Sequence, residues 1–398
     1  MVKEDTIPLR MKKIKIKINS IQKKTFNNWN NHSRLSYNKA INLINESNNN
    51  CNDFNLNYFK QRYPDSKVEK ISANNKYSKL DLRNLITPVL VNCKNPWILQ
   101  TPKAVREGAV FEAYSNYQSA LTNYKNGNIN HFKLRFQSKK NKKWSLTIPD
   151  DSIHIKNPKS IGIYEEKTTN FRINLTEEIK EINNECKIHY NGKDYFFCVP
   201  YKLERRSESQ SKDWFCALDP GCRKFQVLYN ADEDNYIKIG DTASVRLYDL
   251  LKYLDFLLKK PKINKKKITN LRIKIENYQK EMHCKVSKYL CESFNNILIP
   301  KLTRNNDIVK LKKRKLTKSV VRKMNVLGHC KFIERLKTKA EEYEDVNIRI
   351  IGEEYTSQTC LNCKVLTKTS KEIFKCKSCN LKIDRDVLGS TNILLFNW

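Results

Sequence analysis

Two pairs of cysteines, with two residues inside each pair and twelve between the pairs, constrain the fold of this chain more than any other feature. The first pair is Cys360 with Cys363, and the second is Cys376 with Cys379. Four thiolates in two such knuckles form a tetrahedral, all-sulfur ligand set that suits one structural Zn²⁺. The spacer is slightly shorter than the roughly 15 to 20 residues usual for this pattern. A site with four cysteine ligands is closed, so any catalysis has to come from other residues. The alternative is that the four cysteines hold no metal.

The charge balance indicates a polyanionic partner. The 398 residues include 76 lysines and arginines against 42 aspartates and glutamates, a formal net charge of +34. Such an excess disfavours a compact state unless a polyanion offsets it, so nucleic acid is the favoured partner and an anionic membrane surface is the alternative. The length suggests roughly two or three domains.

The sequence carries no recognisable secretion or membrane signal. It has no run of about 18 apolar residues, and its first residues lack the apolar core of a signal peptide. We therefore expect an intracellular protein with no membrane partner, in which thiols stay reduced. The 13 cysteines are then not a disulfide framework, and the four grouped ones need a separate explanation.

The first part of the chain predicts a strand followed by a helical region. Isoleucines at every second position from Ile14 to Ile18 alternate with lysines, which is typical of a half-buried strand with a basic outer face. An asparagine-rich, helix-like region covers about residues 20–127. Within it, we predict that Thr101 caps a helix whose first residue is Pro102.

Strand-like sequence returns near Phe132 and continues to a hairpin predicted to turn at Asn191-Gly192. A helical insert therefore interrupts one small β-domain. The polar, charged composition of residues 204–213 then predicts a linker.

After the linker the pattern becomes α/β. Apolar runs that predict strands alternate with long amphipathic stretches that predict helices, and no internal repeat is present. The predicted strands are residues 214–218, 225–229, 236–239, 296–299 and 347–351, and the main predicted helices cover residues 247–258, 269–294 and 328–343.

Four acidic residues occupy positions that suit catalysis. Asp219 ends an apolar strand before a Pro-Gly turn, where catalytic residues of α/β folds often lie. Asp386 lies near a predicted helix start that contains small residues. Glu353 and Glu354 stand between a predicted strand and the first cysteine knuckle. Each also has an ordinary structural interpretation, as a turn former, a helix cap or a surface charge.

The combination of these motifs resembles the TnpB family of transposon-encoded, RNA-guided nucleases. The order is Asp219-Pro-Gly, an acid, Thr356-Ser-Gln-Thr-Cys360 with the two knuckles, and then Arg-Asp-x3-Gly-x2-Asn-Ile around Asp386. The resemblance covers most of the chain. Less specific matches in the first half are Arg34-Leu-Ser-Tyr-Asn38, Pro102-Lys-Ala-Val-Arg106 and Phe132-x3-Phe136-Gln-Ser-Lys-Lys.

The resemblance implies a multidomain α+β architecture. An N-terminal β-barrel-like wedge (WED) domain would contain a helical recognition (REC) insert, and a C-terminal RNase H-like RuvC α/β domain would contain an inserted zinc ribbon. The implied boundaries are 1–20 and 128–203 for the wedge, 21–127 for the insert, 204–213 for the linker, 214–355 and 383–398 for the RuvC-like domain, and 356–382 for the ribbon.

One departure from the bacterial pattern concerns the middle catalytic acid. Bacterial members carry a glutamate at the end of the strand where this chain has Pro300, which cannot bind a metal. The eukaryotic and viral branch, the Fanzor proteins, shows the same loss together with a glutamate just ahead of the zinc ribbon. The strand at 347–351 is predicted to lie parallel to 296–299, so an acid at its end can replace the lost one. The Fanzor pattern matches Glu353. Glu354 as the ligand, or neither residue, are the alternatives.

The resemblance also implies a two-metal mechanism at one edge of the sheet. Asp219, Glu353 and Asp386 would hold two Mg²⁺ or Mn²⁺ ions, with Asp219 bridging both. The partners would be a guide RNA and a double-stranded target DNA that carries a short flanking motif.

Two lysine-rich segments are the candidate nucleic-acid contacts. The residues are Lys139, Lys140, Lys142 and Lys143 in the first segment, and Lys312, Lys313, Arg314 and Lys315 in the second. The second also fits a nuclear localisation signal, so a Fanzor-like protein would be nuclear and any other would be cytoplasmic. The alternative for each residue is a solvated surface charge.

Two other functions stay open at this stage. A strand-joining transposase would need a tyrosine nucleophile with a His-x-His partner, which we do not find. A guide-bound DNA-binding regulator with a decayed nuclease is supported by Pro300, whereas the intact Asp219, Glu353 and Asp386 argue against it.

Overall fold

The structure is a computed structural model that describes residues 9–49, 77–88, 96–165, 171–206, 212–260, 264–301, 318–352, 354–369 and 371–397. The chain divides into two compact units, Met1–Leu203 and Glu204–Trp398. Among the described residues, no helix combines the length and the apolar character needed to cross a membrane.

The first unit contains a helical layer inserted between its first two strands. The helices are α1 (Ser20–Asn49), α2 (Lys79–Ile86) and α3 (Lys103–Lys125), with a short 3-10 helix at Pro96–Gln100. Apolar faces of all three pack together around Ile41, Leu82 and Val110. The helical insert predicted from the sequence is therefore present over the part of it that the structure describes.

The predicted start of α3 is wrong by one residue. Pro102 is the N-cap, with φ −50° and ψ 139°, and its helix begins at Lys103 without a side-chain cap. Thr101 does not cap the helix because its hydroxyl is engaged elsewhere, at 2.5 Å from Nδ1 of the buried His32.

The β part of the first unit is one antiparallel sheet of seven strands in the order β2-β6-β7-β1-β5-β4-β3. Strand β1 joins its two halves, since residues 9–15 pair with β7 and residues 16–17 pair with β5. Ile14 and Ile16 are buried, as their alternation predicted. The strands are β1 (Leu9–Lys17), β2 (Trp144–Ile148), β3 (Ile153–Asn157), β4 (Ser160–Ile163), β5 (Arg172–Leu175), β6 (Cys186–Tyr190) and β7 (Tyr195–Lys202), with a 3-10 turn at Asp150–Ser152.

The return to strand structure comes later than predicted. Residues 128–143, including Phe132, follow an irregular path, and β2 is the first strand after α3. The hairpin at Asn191-Gly192 is confirmed: Gly192 has φ +97°, and the Asn191 side chain accepts hydrogen bonds from the N–H groups of Lys193 and Asp194.

The second unit is built on a mixed five-stranded sheet in the order β10-β9-β8-β11-β12. Its first three strands form an antiparallel meander, and β11 and β12 run parallel to β8. The strands are β8 (Asp213–Pro220), β9 (Gln226–Asn230), β10 (Asn235–Ile239), β11 (Phe294–Pro300) and β12 (Asn347–Ile351). A separate two-stranded sheet pairs β13 (Ile373–Lys375) with β14 (Lys382–Asp384).

Alternate residues of the central strands face opposite sides of the sheet, and each side is covered. Ile297 and Ile299 join the large core formed with most of the helices, whereas Leu298 joins a smaller core that includes Ile393 and Leu394 of the last helix. The helices are α4 (Asp241–Lys259), α5 (Lys265–Ser293), α6 (Lys318–Leu327), α7 (His329–Ala340) and α8 (Arg385–Asn397).

The predicted linker is held at both of its described ends. The Arg206 N–H donates to the Glu342 carbonyl oxygen at 2.8 Å, and Lys212 Nζ lies 2.9 Å from Asp345 Oδ1. Residues 207–211 lie outside the described part of the chain.

Candidate functional site

Three parallel strands of the second unit end at the same level, and this edge carries the first predicted catalytic residue. Strand β8 pairs with β11 through Ala217 and Leu298. Two residues further on come Asp219 and Pro300, and Pro300 is in turn the register partner of Ile351 on β12. The parallel pairing predicted for the strands at 296–299 and 347–351 is therefore confirmed.

Helix α8 carries the second predicted aspartate, and its first turn is close to Asp219. The Asp386 N–H donates to Asp384 Oδ1 at 2.9 Å, so Asp384 caps the helix and Asp386 does not. Gly389 lies one turn after Asp386, and a Cβ built on Gly389 would be 2.6 Å from Asp219 Oδ2. The glycine therefore leaves the space that the Asp219 carboxylate occupies, beside the turn that bears Asp386.

Of the two predicted glutamates, the structure describes only Glu354. Glu353 lies outside the described residues, so its predicted role is left for experiment. Glu354 is exposed at the start of a turn. That turn is fixed to α8, because the buried Asn392 amide donates to the carbonyl oxygens of Thr356 and Thr359, both at 2.8 Å.

A lysine pair adds positive charge beside the start of α8. Lys238 Nζ lies 2.9 Å and Lys224 Nζ 3.7 Å from Asp384 Oδ2. Burial alone would raise the pKa of Asp384, but the hydrogen bond from Lys238 and the one from the Asp386 N–H outweigh it and lower that pKa. Asp384 is therefore held as a carboxylate, which keeps its cap on α8.

The described acids fit a divalent-cation site. Asp219 and Asp386 supply oxygen ligands of the type that Mg²⁺ and Mn²⁺ prefer. The carboxylate of Asp219 occupies space that is open only because residue 389 is a glycine without a Cβ. Lys224 and Lys238 pair with Asp384, and a guanidinium nitrogen of Arg385 lies 3.7 Å from Asp386 Oδ1.

The four grouped cysteines converge as predicted. Their sulfur atoms all lie within 4.8 Å of one another, with Cys360 3.4 Å from Cys379 and Cys363 3.4 Å from Cys376. A tetrahedron with Zn–S bonds of about 2.3 Å places sulfurs about 3.8 Å apart, so the cluster fits Zn²⁺. Hydrogen bonds from the backbone at Cys379 and Ser378 lower the pKa of Cys376 to about 6, which favours the thiolate that a metal needs.

Both knuckles have the same backbone geometry. In each, the N–H of the first cysteine donates to the carbonyl oxygen two residues past the second cysteine, at Val365 (3.1 Å) and Leu381 (2.9 Å). The residue directly after each second cysteine has a positive φ, +61° at Lys364 and +57° at Asn380. The knuckles pack on Leu388 of α8, the same helix that bears Asp386.

The first predicted lysine segment lies at the protein surface. Lys139, Lys140, Lys142 and Lys143 are all exposed. The irregular segment before them is fixed to α1, because the Asn38 side chain accepts from the Gln137 N–H at 2.8 Å and donates to the Gln137 carbonyl oxygen at 3.1 Å. The second segment, Lys312, Lys313, Arg314 and Lys315, lies outside the described residues.

Sequence reasoning missed three residues that shape the site. They are Asp384, which caps α8, Asn392, which fixes the turn after Glu354, and Lys238, which holds Asp384. An Asp two residues before a helix-start acid is a recognisable cap signal. The partners of Asn392 and Lys238 are far away in sequence, so no local pattern would have identified them.

Comparison with known proteins finds one matching domain family and several viral relatives. A family model described as "Cas12f1-like, TNB domain" matches residues 329–393. The putative transposase A625R of Paramecium bursaria Chlorella virus 1 is 25% identical over 97% of this chain and 86% of its own length. The TnpB-like protein L770 of Acanthamoeba polyphaga mimivirus is 27% identical over 96% of this chain and 72% of its own length.

A solved structure is similar over nearly the whole chain, but only loosely. The cryo-electron microscopy structure of the Cas12f1–sgRNA–target DNA complex contains a chain that is 14% identical, with 97% of this chain and 98% of that one covered and a TM-score of 0.30. At that score the likeness supports no conclusion about this protein. The chain is therefore similar to these two viral proteins over nearly its whole length, and to the Cas12f1-like TNB domain over residues 329–393.

Proposed function

We propose that the protein is an RNA-guided endonuclease that hydrolyses phosphodiester bonds of a double-stranded DNA target. The observation that carries the proposal is the position of Asp219. Its carboxylate lies against Gly389, one turn past Asp386, at the edge where three parallel strands end. Acids gathered at such an edge suit phosphodiester hydrolysis with divalent metal ions.

The proposed architecture is that of the TnpB family in its viral, Fanzor-like branch, and the similarity to the viral relatives supports it. The strand order of the second unit, three antiparallel strands followed by two parallel ones, supports an RNase H-like RuvC domain over 214–355 and 383–398, with the zinc ribbon at 356–382. The seven-stranded sheet supports a wedge domain over 1–20 and 128–203, and α1 to α3 support a recognition insert over 21–127.

In the proposed mechanism Asp219, Glu353 and Asp386 would hold two Mg²⁺ or Mn²⁺ ions. Bound ions of this kind activate the attacking water and stabilise the leaving 3′ oxygen. Gly389 leaves room for the Asp219 carboxylate, and Asp384 fixes the helix start that presents Asp386. One Zn²⁺ at Cys360, Cys363, Cys376 and Cys379 has a structural role.

The proposed nucleic-acid partners are a guide RNA and a target DNA with a short flanking motif. Base pairing with the guide would select the target, and basic side chains such as Lys139, Lys140, Lys142 and Lys143 would hold the strands by their phosphates. If Lys312 to Lys315 act as a localisation signal, the protein is nuclear.

The experiment compares Glu353→Ala with Glu354→Ala, with co-purified RNA and Mg²⁺ supplied. We expect Glu353→Ala to abolish single-turnover cleavage and to leave target binding in a gel shift nearly intact, while Glu354→Ala keeps most of its activity. The reason is that Pro300 leaves the middle ligand position without an acid, and Glu353 follows the neighbouring strand. The opposite pattern would assign the role to Glu354, and full cleavage by both variants would remove these acids from the mechanism.

A decayed, guide-bound DNA-binding regulator is the second candidate function, and Pro300 is the observation that favours it. Wild-type protein that binds guide and target tightly in Mg²⁺ or Mn²⁺ without cutting either strand would support this candidate over the nuclease.

A further inference from the structure

The turn that follows Asp219 is tied to several distant parts of the second unit. We call residues 220–225 the Asp219 turn. The Gly221 carbonyl oxygen lies 3.0 Å from His329 Nε2 of α7. The Cys222 carbonyl oxygen accepts a hydrogen bond from the Tyr248 hydroxyl of α4, and Arg223 pairs with Glu372 beside the zinc knuckles. The contact of Gly221 is the one closest in sequence to Asp219.

His329 is placed to act as a neutral hydrogen-bond donor. Its side chain is buried, and that burial lowers its pKa to about 4. Its Nδ1 lies 3.4 Å from the amide nitrogen of the buried Gln226, which can only donate. Nδ1 is therefore the acceptor, and Nε2 carries the hydrogen that is donated to Gly221.

The imidazole of His329 belongs to a stack of three rings. Phe225, the last residue of the Asp219 turn, lies between His329 and His283, with both ring centroids 5.2 Å away and interplanar angles of 9° and 18°. The two histidines differ in what they bind. His283 Nε2 lies 2.8 Å from the carbonyl oxygen of Leu327, at the end of α6, and does not bond the Asp219 turn.

Two glycines leave space for neighbouring side chains, Gly240 for Phe225 of the stack and Gly328 for Gln279. Gly240 has φ +84°, and a Cβ there would be 2.7 Å from Phe225 Cβ. Gly328, directly before His329, has φ +67°, and its Cβ would be 2.6 Å from the Gln279 amide nitrogen. Both positions combine a left-handed backbone with close contact, so any other residue would be strained at either one.

We propose that His329 is a positioning residue for the metal-binding carboxylate of Asp219, acting through its hydrogen bond to the Gly221 carbonyl. The inference rests on the proposed function, in which Asp219 holds divalent ions. Gly221 is two residues past Asp219, and a Cβ at Gly221 would already be 2.9 Å from the Lys224 carbonyl oxygen, so the turn is tight. Without the donor, a half-buried carbonyl loses its partner and the turn gains freedom, which displaces the carboxylate that precedes it.

The test uses two matched substitutions and one rescue. His329→Phe and His283→Phe each put a phenyl ring into the same stack, but only the first removes the donor to Gly221. His329→Gln restores an N–H donor without the ring. Binding of Mn²⁺ to each purified full-length variant, without nucleic acid, is measured by electron paramagnetic resonance, and Asp219→Asn shows which part of the signal belongs to this site.

We expect His329→Phe to weaken Mn²⁺ binding at least about tenfold, the lower end of the range for partners that orient metal ligands. His283→Phe should stay within about twofold of wild type, and His329→Gln should recover most of the loss. Wild-type affinity in His329→Phe overturns the proposal. An equal loss in His283→Phe also overturns it, because the stack alone would then explain the effect.

Cleavage assays on the same proteins separate this inference from the proposed function. Wild-type protein that binds Mn²⁺ through Asp219 but does not cut DNA would overturn the nuclease, and the three variants would still decide the role of His329. A wild-type Mn²⁺ signal that Asp219→Asn leaves unchanged would overturn the positioning role, even if the protein cuts DNA.

Discussion

At the scale of single residues, Gly389 leaves the space that the Asp219 carboxylate occupies, because it has no side chain. A Cβ at this position would be 2.6 Å from Asp219 Oδ2 and 3.3 Å from Asp219 Cγ. The atom that would have to move is the tip of a flexible side chain, so the fold can adapt. The proposed metal site cannot adapt as easily, because its ligand would have moved.

Gly389→Ala should therefore separate stability from activity. Alanine in a helix interior is favoured over glycine by up to about 1 kcal/mol, so the free energy of unfolding should hold or rise. Cleavage should fall by ten- to about a hundredfold, because the Asp219 carboxylate is displaced. Single-turnover cleavage and chemical denaturation measure the two effects.

The control for that variant is Gly352→Ala. Gly352 is exposed, and a Cβ there meets no atom within 4 Å. Full cleavage by Gly389→Ala would mean that the space beside Asp219 is not what matters, and full cleavage by Gly352→Ala would show that an added methyl group alone causes no loss.

The sequence analysis singled out both aspartates and the small residues of α8. It did not predict that Gly389 leaves room for the Asp219 carboxylate. Local patterns gave the strand that ends at Asp219, the parallel pairing behind Pro300 and the cysteine knuckles. The approach of Gly389 to Asp219 joins residues that are far apart in the chain, so only the folded structure contains that information. The false N-cap at Thr101 has a similar cause, because its hydroxyl is taken by His32, a distant partner.

At the scale of elements, the zinc knuckles and the start of α8 form one structural piece. Leu388 of α8 packs into the core that Cys360, Phe374 and Cys376 form. The Arg385 N–H at the helix start donates to the Glu372 carbonyl oxygen at 2.8 Å. Loss of the metal should therefore disturb the helix that presents Asp386.

Cys376→Ser should lose zinc and cleavage together, because thiolate ligation supplies local folding energy. Zinc per protein, measured by metal analysis, should fall from about one to well below one. Cys284→Ser is the control, since Cys284 is exposed and outside the knuckles. Full zinc content in Cys376→Ser would contradict the four-cysteine zinc site.

The irregular segment that contains Lys139, Lys140, Lys142 and Lys143 is expected to bind the phosphates of nucleic acid. Changing Lys139, Lys140, Lys142 and Lys143 to alanine should reduce the slope of log affinity against log salt by about three to four, since each contacted phosphate of a duplex contributes about 0.9. The affinity of gel-shifted complexes over a salt series measures this slope.

A matched set of four lysines controls for net charge. Lys252, Lys285, Lys288 and Lys337 are exposed but each lies within 3.5 Å of a carboxylate on its own helix. Their replacement by alanine should leave the slope nearly unchanged. An equal decrease in both sets would mean that the total charge, rather than this segment, sets the affinity.

At the scale of the whole molecule, the two units should differ in their response to acid. His283 and His329, both in the second unit, have pKa values lowered to about 4 by burial. In the unfolded chain their pKa is near 6.5. Each histidine therefore stabilises the fold fully above about pH 6.5, and this contribution is lost as the pH falls towards 4.

Denaturation at pH 7 and pH 4.5 should show this loss. The free energy of unfolding of the second unit should fall by roughly 2 to 3 kcal/mol per histidine, because the unfolded state binds the protons. Burial also lowers the pKa of His32 and His189 in the first unit, so a smaller decrease is expected there. The double variant His283→Phe, His329→Phe should have a flatter pH dependence, and an unchanged one would contradict the assignment.

The contacts of the Asp219 turn also bear on when the protein can become active during its synthesis. Gly221 depends on a residue 108 positions later, and Arg223 on a residue 149 positions later. A nascent chain on the ribosome would expose Asp219 long before either partner had been translated. Because a domain generally folds as a unit, the edge that bears Asp219 would reach its final geometry only near the end of translation. Prematurely terminated chains would then lack the proposed nuclease site.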